Sequence, residues 1–278
     1  MIGATLARLK DLLETRVPAV ASALRAFRME VQFRARRSAR TPLGFDLVGD
    51  PSMQSGAFEE EETALVCDSL RRADLFVDVG ANVGYYTCLA RVAGVSTIAI
   101  EPVPANLRVL HHNLRLNGWS DTEVWPVGVA AKQGSADIFG AGTAASLISG
   151  WAGNRAASGQ TIAVTTLDRL LEGRAVGRNL LIKVDVEGAE YDLLRGATDT
   201  LLRDPRPVWL IEIALDQHRP ERNARFADTF EMFWCRGYRS FTGDGQRREI
   251  TREHVAELVA GRGDSNVYSW LFAQEPLG

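Results

Sequence analysis

The chain has 278 residues, 46% of them hydrophobic, a formal net charge of −3 and a pI near 5.9. That length supports one large core with an extension and excludes a small, stapled scaffold. A slightly acidic chain carries no global basic field for nucleic acid, and no apolar run approaches the roughly eighteen residues of a membrane span.

The three cysteines, Cys67, Cys88 and Cys235, are widely spaced and odd in number. Without a C-x-x-C pair or zinc spacing, neither a disulfide framework nor a structural metal is expected, and reduced thiols fit a cytoplasmic protein. The N-terminus lacks a continuous apolar h-region, so no signal peptide is expected. Charge is nonetheless uneven: residues 1–40 hold nine Lys/Arg against three acids, +6, which leaves −9 for the rest.

Residues 1–48 read as a helical extension ahead of one domain spanning 49–278. Residues 4–36 read as helix, broken at Val17-Pro18, with Leu6, Leu9, Leu12 and Leu13 on one face. Such stripes want a partner, and a homodimer is the expectation. The basic face is either solvated on a lid or dimer arm, or a peripheral contact with an anionic membrane surface or acidic partner.

Glu59-Glu-Glu-Glu62 opens a helix running to about Leu70, its acids favouring the helix dipole. Strand Leu75–Val79, helix Tyr85–Ala93, strand Thr97–Glu101 and helix Pro104–Asn117 follow. Glu123–Val129 reads as one strand, and Lys132-Gln-Gly134-Ser as a hairpin turn into Ala136–Phe139. Residues 140–160, rich in glycine and alanine, read as a loop or lid. Strands are expected at Thr161–Thr166, Leu180–Asp185, Pro207–Ile213, Tyr238–Phe241 and Asn266–Phe272. A helical turn at Asp168–Leu171 and helices at Glu190–Leu202 and Ala224–Arg236 complete the pattern. Alternating strands and helices predict a mainly parallel α/β sheet with helices on both faces.

The run Val77-Asp78-Val-Gly80-Ala-Asn82-Val-Gly84 joins a strand to a helix through a glycine-rich turn, and a second strand ends in Glu101. A tight turn with close ligand approach needs glycine, which Gly80 and Gly84 supply. This is how a Rossmann-like half-domain holds an adenosine, with the second carboxylate on the ribose hydroxyls. The order Asp-x-Gly-x-Asn-x-Gly differs from G-x-G-x-x-G. Asp78 at the strand tip suits a cation rather than a phosphate, which points to the sulfonium and ammonium of S-adenosylmethionine.

Lys183-Val-Asp185-Val-Glu187-Gly188-Ala-Glu190 ends another buried strand in acids. Unpaired carboxylates there are costly, so they bind something, take a proton or cap a helix. Asp185, at the tip, is the first candidate for the reacting side. Glu212 sits inside an apolar run, either paired with a residue such as Lys183 or facing the site. His218 lies in the loop beyond. Methylation at an alcohol oxygen gains from a base, which Asp185, Glu212 and His218 offer as catalytic candidates. Asp185 and Glu212 are equally candidates to hold Mg²⁺. Trp151 is a candidate to stack on a sugar ring.

Together these segments, with Ser55-Gly56-Ala-Phe58-Glu59, Ile100-Glu101-Pro102, Asn106, Asn113, Asn117, Val127–Gly134 and Thr166-Leu167-Asp168, resemble the FkbM family of S-adenosylmethionine-dependent methyltransferases over about residues 50–215. The resemblance implies a class I methyltransferase sheet of seven strands, mostly parallel, with an antiparallel last strand. It implies O-methylation of a hydroxyl on a sugar, oligosaccharide or glycosylated metabolite, or alternatively on a polyketide. It implies a cofactor set of Asp78, Gly80, Asn82, Gly84, Tyr85, Glu101, Pro102, Asn106, Gly128 and Val129. Where many members carry a histidine soon after the fifth-strand Glu, this chain has Ala214, and His218 comes later.

Three other readings compete. An NAD-dependent oxidoreductase needs a third glycine where Tyr85 and Tyr86 stand. A nucleic-acid methyltransferase usually shows an Asn/Asp-Pro-Pro-aromatic tetrad where this chain has Asp185-Val-Glu187-Gly188. A non-catalytic binding module would dispense with Asp78 and Glu101, and both are present.

Overall fold

The computed structural model describes residues 37–139, 146–147, 160–217, 221–263 and 267–276. The expected helices of residues 4–36, Trp151 and His218 lie outside the described residues. Arg40–Gly278 forms one compact unit. Among the described residues no helix is long and apolar enough to cross a membrane.

In chain order the helices are α1 (Pro51–Ser55), α2 (Glu60–Leu70), α3 (Tyr85–Val92), α4 (Pro104–Leu116), α5 (Leu167–Leu170), α6 (Glu190–Arg195), α7 (Phe226–Trp234) and α8 (Arg252–Val259). Apart from a two-stranded pair, Ala39–Arg40 with Asp46–Leu47, the strands are β1 (Leu75–Val79), β2 (Ser96–Ile100), β3 (Glu123–Trp125), β4 (Gly128–Val129), β5 (Gly134–Ile138), β6 (Gln160–Thr165), β7 (Leu180–Val184), β8 (Val208–Glu212), β9 (Arg239–Thr242), β10 (Glu249–Ile250) and β11 (Ser269–Ala273).

The main sheet has eight strands in the order β10-β9-β11-β8-β7-β1-β2-β3. Strands β8, β7, β1, β2 and β3 run parallel. Strand β11 enters antiparallel between β8 and β9, with Glu212 opposite Ser269. Seven strands with a reversed last one are as expected, and the two-residue β10 adds an edge. β1 and β7 are buried along their whole length, as strands covered on both faces must be.

Below the sheet, α7 lays Phe226, Phe230 and Phe233 against Trp270 and Phe272, with Phe233 stacked on Phe272 at 3.9 Å. Each such ring buried from water contributes about 1.5–3 kcal/mol. Near the other sheet edge, Asn113 of α4 donates to the carbonyls of Val48 and Val83 and accepts from Val48 N–H. Asn117 bridges both backbone groups of Asp46. These two amides tie residues 46–48 to the turn after β1.

Three expectations change. Pro126 cannot donate to a ladder, and the strand expected over Glu123–Val129 divides there. β3 joins the main sheet, whereas β4 joins a small sheet of order β4-β6-β5. Lys132–Ser135 is not a hairpin turn: β5 starts at Gly134 and pairs antiparallel with the distant β6. The helix expected to Leu202 stops at Arg195, because Gly196 abuts the Ala130 carbonyl, and only a 3₁₀ turn, Thr200–Leu202, follows. Helices α1 and α8 went unread. α1 is a single capped turn, and α8 is short, with Val255 its only fully buried residue.

Candidate active site

The turn after β1 works because two residues lack a Cβ. Gly80 has φ +87°, and a Cβ there would stand 1.8 Å from the Asp185 carbonyl oxygen. Gly84 has φ +86°, and a Cβ would lie 2.3 Å from Leu110 Cδ1. Left-handed backbone and close approach together require glycine at both positions. Asn82, at φ +50°, takes a conformation that asparagine tolerates better than most residues. The loops after β1 and β7 therefore touch, and a cleft opens at the strands' carboxyl ends. Gly80, Asn82, Glu101, Pro102, Asn106, Gly128, Val129 and Asp185 all line it.

Glu101 closes one side. Its Oε2 accepts from Asn82 N–H at 2.8 Å, and its Oε1 from Val103 N–H at 2.8 Å and Asn106 Nδ2 at 3.2 Å. Burial nevertheless raises its pKa to about 7, against the opposing pull of those donors. A carboxylate has about four acceptor positions, so capacity remains for ligand hydroxyls.

Three residues of the expected cofactor set sit behind the cleft rather than on its wall. Asp78 is 2% exposed, and its Oδ2 accepts from Thr87 Oγ1 at 2.5 Å. Burial raises its pKa to about 6, with Thr87 and Lys183 opposing. Gly84 faces Leu110. Tyr85 packs edge-on against Phe45, Phe58 and Tyr86.

A second constellation adjoins the cleft at Asp185. Lys183, 2% exposed in the middle of β7's tip, has its Nζ 2.9 Å from Glu62 Oε1, 3.2 Å from Glu212 Oε1 and 3.8 Å from Asp185 Oδ2. The same ammonium lies 4.6 Å from the centre of the Tyr86 ring, a favourable placement of a cation over a π face. Burial alone would lower the lysine's pKa, but Glu62, Glu212 and Asp185 outweigh it and hold it well above the ordinary value. The Tyr86 hydroxyl donates to Glu59 Oε2 at 2.7 Å. Burial raises the pKa of Glu59 to about 7. It raises those of Asp185 and Glu212 as well, Glu212 far above its usual range with the neighbouring Asp185 adding to the effect. Tyr268, 42% exposed, lies in the field of all four carboxylates.

The expected pairing of Lys183 with Glu212 is present. The candidate metal pair, Asp185 and Glu212, lies side by side around Lys183, and the group of three carboxylates within 4.8 Å of one another is Glu59, Glu62 and Glu212. The Lys183 ammonium already stands within contact of two of those three.

Sequence reasoning missed Glu59, Glu62, Tyr86 and Tyr268. One signal was available. Glu62 shares the spacing of Leu65, Val66, Ser69 and Leu70, the buried stripe of α2, so a carboxylate falls where an apolar residue belongs. Glu60 and Glu61 point to solvent. Glu190 accepts from Gly188 N–H at 2.6 Å, in keeping with a role at the start of α6.

A family model described as Methyltransferase FkbM domain matches residues 78–240. A curated relative, the hexuronic acid methyltransferase AglP of Haloferax volcanii, is 27% identical over 146 residues, covering 51% of this chain. The match spans 58% of that relative's length. Among solved structures, a precorrin-6y C5,15-methyltransferase from Geobacter metallireducens aligns at TM-score 0.40 and 12% identity, over 77% of this chain and 89% of its own. An O-methyltransferase from Bacillus cereus aligns at TM-score 0.40 and 10% identity, over 94% and 93%. The glycine turn, the Glu101 strand end and the Lys183–Glu190 segment all lie inside the matched region: the chain belongs to the FkbM methyltransferase domain family.

Proposed function

We propose that this chain is an S-adenosylmethionine-dependent O-methyltransferase that acts on a hydroxyl of a sugar, an oligosaccharide or a glycosylated metabolite. The observation that carries the reading is the double membership of Asp185. It lines the cleft with Gly80 and Glu101, and it stands 3.8 Å from Lys183 in the carboxylate cluster. Cofactor side and acceptor side thus meet at one residue. The family membership supports methyl transfer, and the curated relative's name supports a carbohydrate acceptor.

The residues fit the cofactor. Gly80 lets the loops after β1 and β7 close on each other at the edge of the cleft, and Glu101 offers carboxylate oxygens where two ribose hydroxyls would donate. When bound, the cofactor supplies an electrophilic methyl on a sulfonium. The chain's own part is to hold the acceptor oxygen in line with that methyl and to take its proton. Burial, with the neighbouring Asp185 adding to it, pushes the pKa of Glu212 far up. Asp185 is one-third exposed and beside an ammonium, which suits it to receive the acceptor's proton. Lys183 already supplies one positive charge among these carboxylates.

The test is transfer of labelled methyl from S-adenosylmethionine to a panel of sugars by wild type and Asp185→Asn. We expect turnover to fall about 100-fold or more in the variant, with affinity for S-adenosylhomocysteine unchanged. Turnover within threefold of wild type would remove Asp185 from this role.

A further inference from the structure

We infer that Tyr268 is a specificity-determining residue of this site: its exposed ring is the platform on which the apolar face of a pyranose, neutral or uronic, rests while one of its hydroxyls reacts beside Asp185. The inference rests on the methyltransferase reading of the same site.

The place of the residue comes from the sheet. Strand β11 runs antiparallel to β8, so its first residues stand at the carboxyl ends of the parallel strands, the end that Asp185 and Glu101 also occupy. Ser269 pairs with Glu212 across the ladder. One residue earlier, the Tyr268 carbonyl accepts from Ile213 N–H at 2.7 Å. The backbone of Tyr268 is thereby fixed beside the segment that leaves β8. Burial raises the pKa of its phenol, and so do the charges of Glu212, Glu59, Glu62 and Asp185. Charges at a wetted surface act only over about 8–10 Å, so the phenol stands near all four carboxylates.

The fold makes little use of the ring. Tyr268 is 42% exposed, and among the described residues it is the only aromatic side chain on the exposed surface. The next rings along the strand, Trp270 and Phe272, are fully buried against Phe226 and Phe230 of α7. Among the described residues Tyr268 stacks with no other ring, and its hydroxyl makes no hydrogen bond. A single exposed apolar side chain is ordinary on a surface. This one stands at the strand ends, where ligands sit in an open α/β sheet, and beside the carboxylates of the reacting side.

A pyranose has two kinds of surface. Its hydroxyls lie around the edge and donate to carboxylates, whereas its C–H groups form apolar faces. A tyrosine ring meets the second kind, and Asp185 and the partly exposed Glu59 meet the first. A ring held flat against one face loses freedom to tumble, which helps to keep the reacting oxygen in line with the methyl. The phenol keeps its proton at neutral pH and can itself donate to a sugar oxygen. Stacking does not read charge, so one platform serves a neutral sugar and a hexuronate alike, in keeping with the name of the curated relative.

The experiment compares wild type with Tyr268→Ala, Tyr268→Phe and Tyr268→Trp, each as the full chain with labelled S-adenosylmethionine. The acceptors are the methyl glycosides and the hexuronates of the gluco, galacto and manno series. For the sugars that wild type methylates, we expect Tyr268→Ala to raise KM about tenfold or more, with kcat within about threefold. Tyr268→Phe and Tyr268→Trp should keep KM within about threefold of wild type, because they keep a ring. Affinity for S-adenosylhomocysteine and the melting temperature should be unchanged in Tyr268→Ala, as befits an exposed side chain. Val176→Ala, at an exposed position before β7 and so at the opposite ends of the strands, should change none of these values. An unchanged KM in Tyr268→Ala overturns the inference and leaves the methyltransferase reading standing. A Tyr268→Phe variant as poor as Tyr268→Ala also overturns it, by assigning the effect to the hydroxyl, and so does lost affinity for S-adenosylhomocysteine, by assigning the residue to the cofactor. Transfer to none of the sugars, with S-adenosylhomocysteine bound, removes the carbohydrate reading and this inference with it.

Discussion

A Cβ on Gly80 would stand 1.8 Å from a backbone oxygen, and backbone cannot swing aside as a side-chain tip can. The residue also sits at φ +87°, where alanine is strained. Gly80→Ala should therefore push the loops after β1 and β7 apart. We expect it to abolish detectable binding of S-adenosylhomocysteine and to destabilise the chain by about 2 kcal/mol or more, read by calorimetry and urea denaturation. Retained affinity would mean that the two loops need not touch. At this scale the sequence was informative where chemistry and backbone coincide. Gly80, Gly84 and Glu101 were legible because few residue types can do what they do. Asp78 was legible as important, but its Thr87 partner was not, since nothing local ties a strand tip to the third residue of the next helix.

Strand β7 carries the tension at the next scale. Leu180, Leu181, Ile182 and Val184 are buried, and Lys183 is buried among them. It is accommodated only because α2 and β8 bring Glu62 and Glu212 to it. Removing one partner of a buried ionic network leaves uncompensated charge, at a cost of about 3–5 kcal/mol. Lys183→Met should show that loss in denaturant melts, with a smaller loss at pH 6 than at pH 8, because the stranded carboxylates then take up protons. Undiminished stability at pH 8 would show that the carboxylates are neutral without the lysine. The parallel strands were legible as short apolar runs bounded by turn residues, and the pairing of Lys183 with Glu212 followed from the cost of burying either alone. The small sheet was not legible. β4 is two residues long, and β5 finds β6 across more than twenty residues that no local pattern connects. The ends of α4 and α6 show the same contrast: Asn117-Gly118 marked one stop in the sequence, whereas Gly196 stops the other through a tertiary contact with Ala130.

For the molecule as a whole, the burial of acids sets an unusual response to pH. Asp78, Glu59 and Glu101 hold protons at about 6, 7 and 7 in the folded chain, against ordinary values of 3.8, 4.5 and 4.5. Between about pH 4.5 and 7 the folded state therefore binds more protons than the unfolded one, and stability falls as pH rises through that window. The surface acids Glu231, Glu249 and Glu257, whose pKa values their arginine partners lower, act only below pH 4.5. The free protein should accordingly melt about 5 °C or more higher at pH 5.5 than at pH 8. A melting temperature that is flat or rises over this range would mean that these groups are not buried as described. The central claim is that the cleft between Gly80, Glu101 and Asp185 is an S-adenosylmethionine site. Calorimetric titration of the purified chain with S-adenosylmethionine, S-adenosylhomocysteine and NAD⁺, each with and without Mg²⁺, tests it most directly. The account predicts micromolar binding of the first two, none of NAD⁺, and no dependence on Mg²⁺. Binding of NAD⁺ alone, or of none of the three, would contradict it.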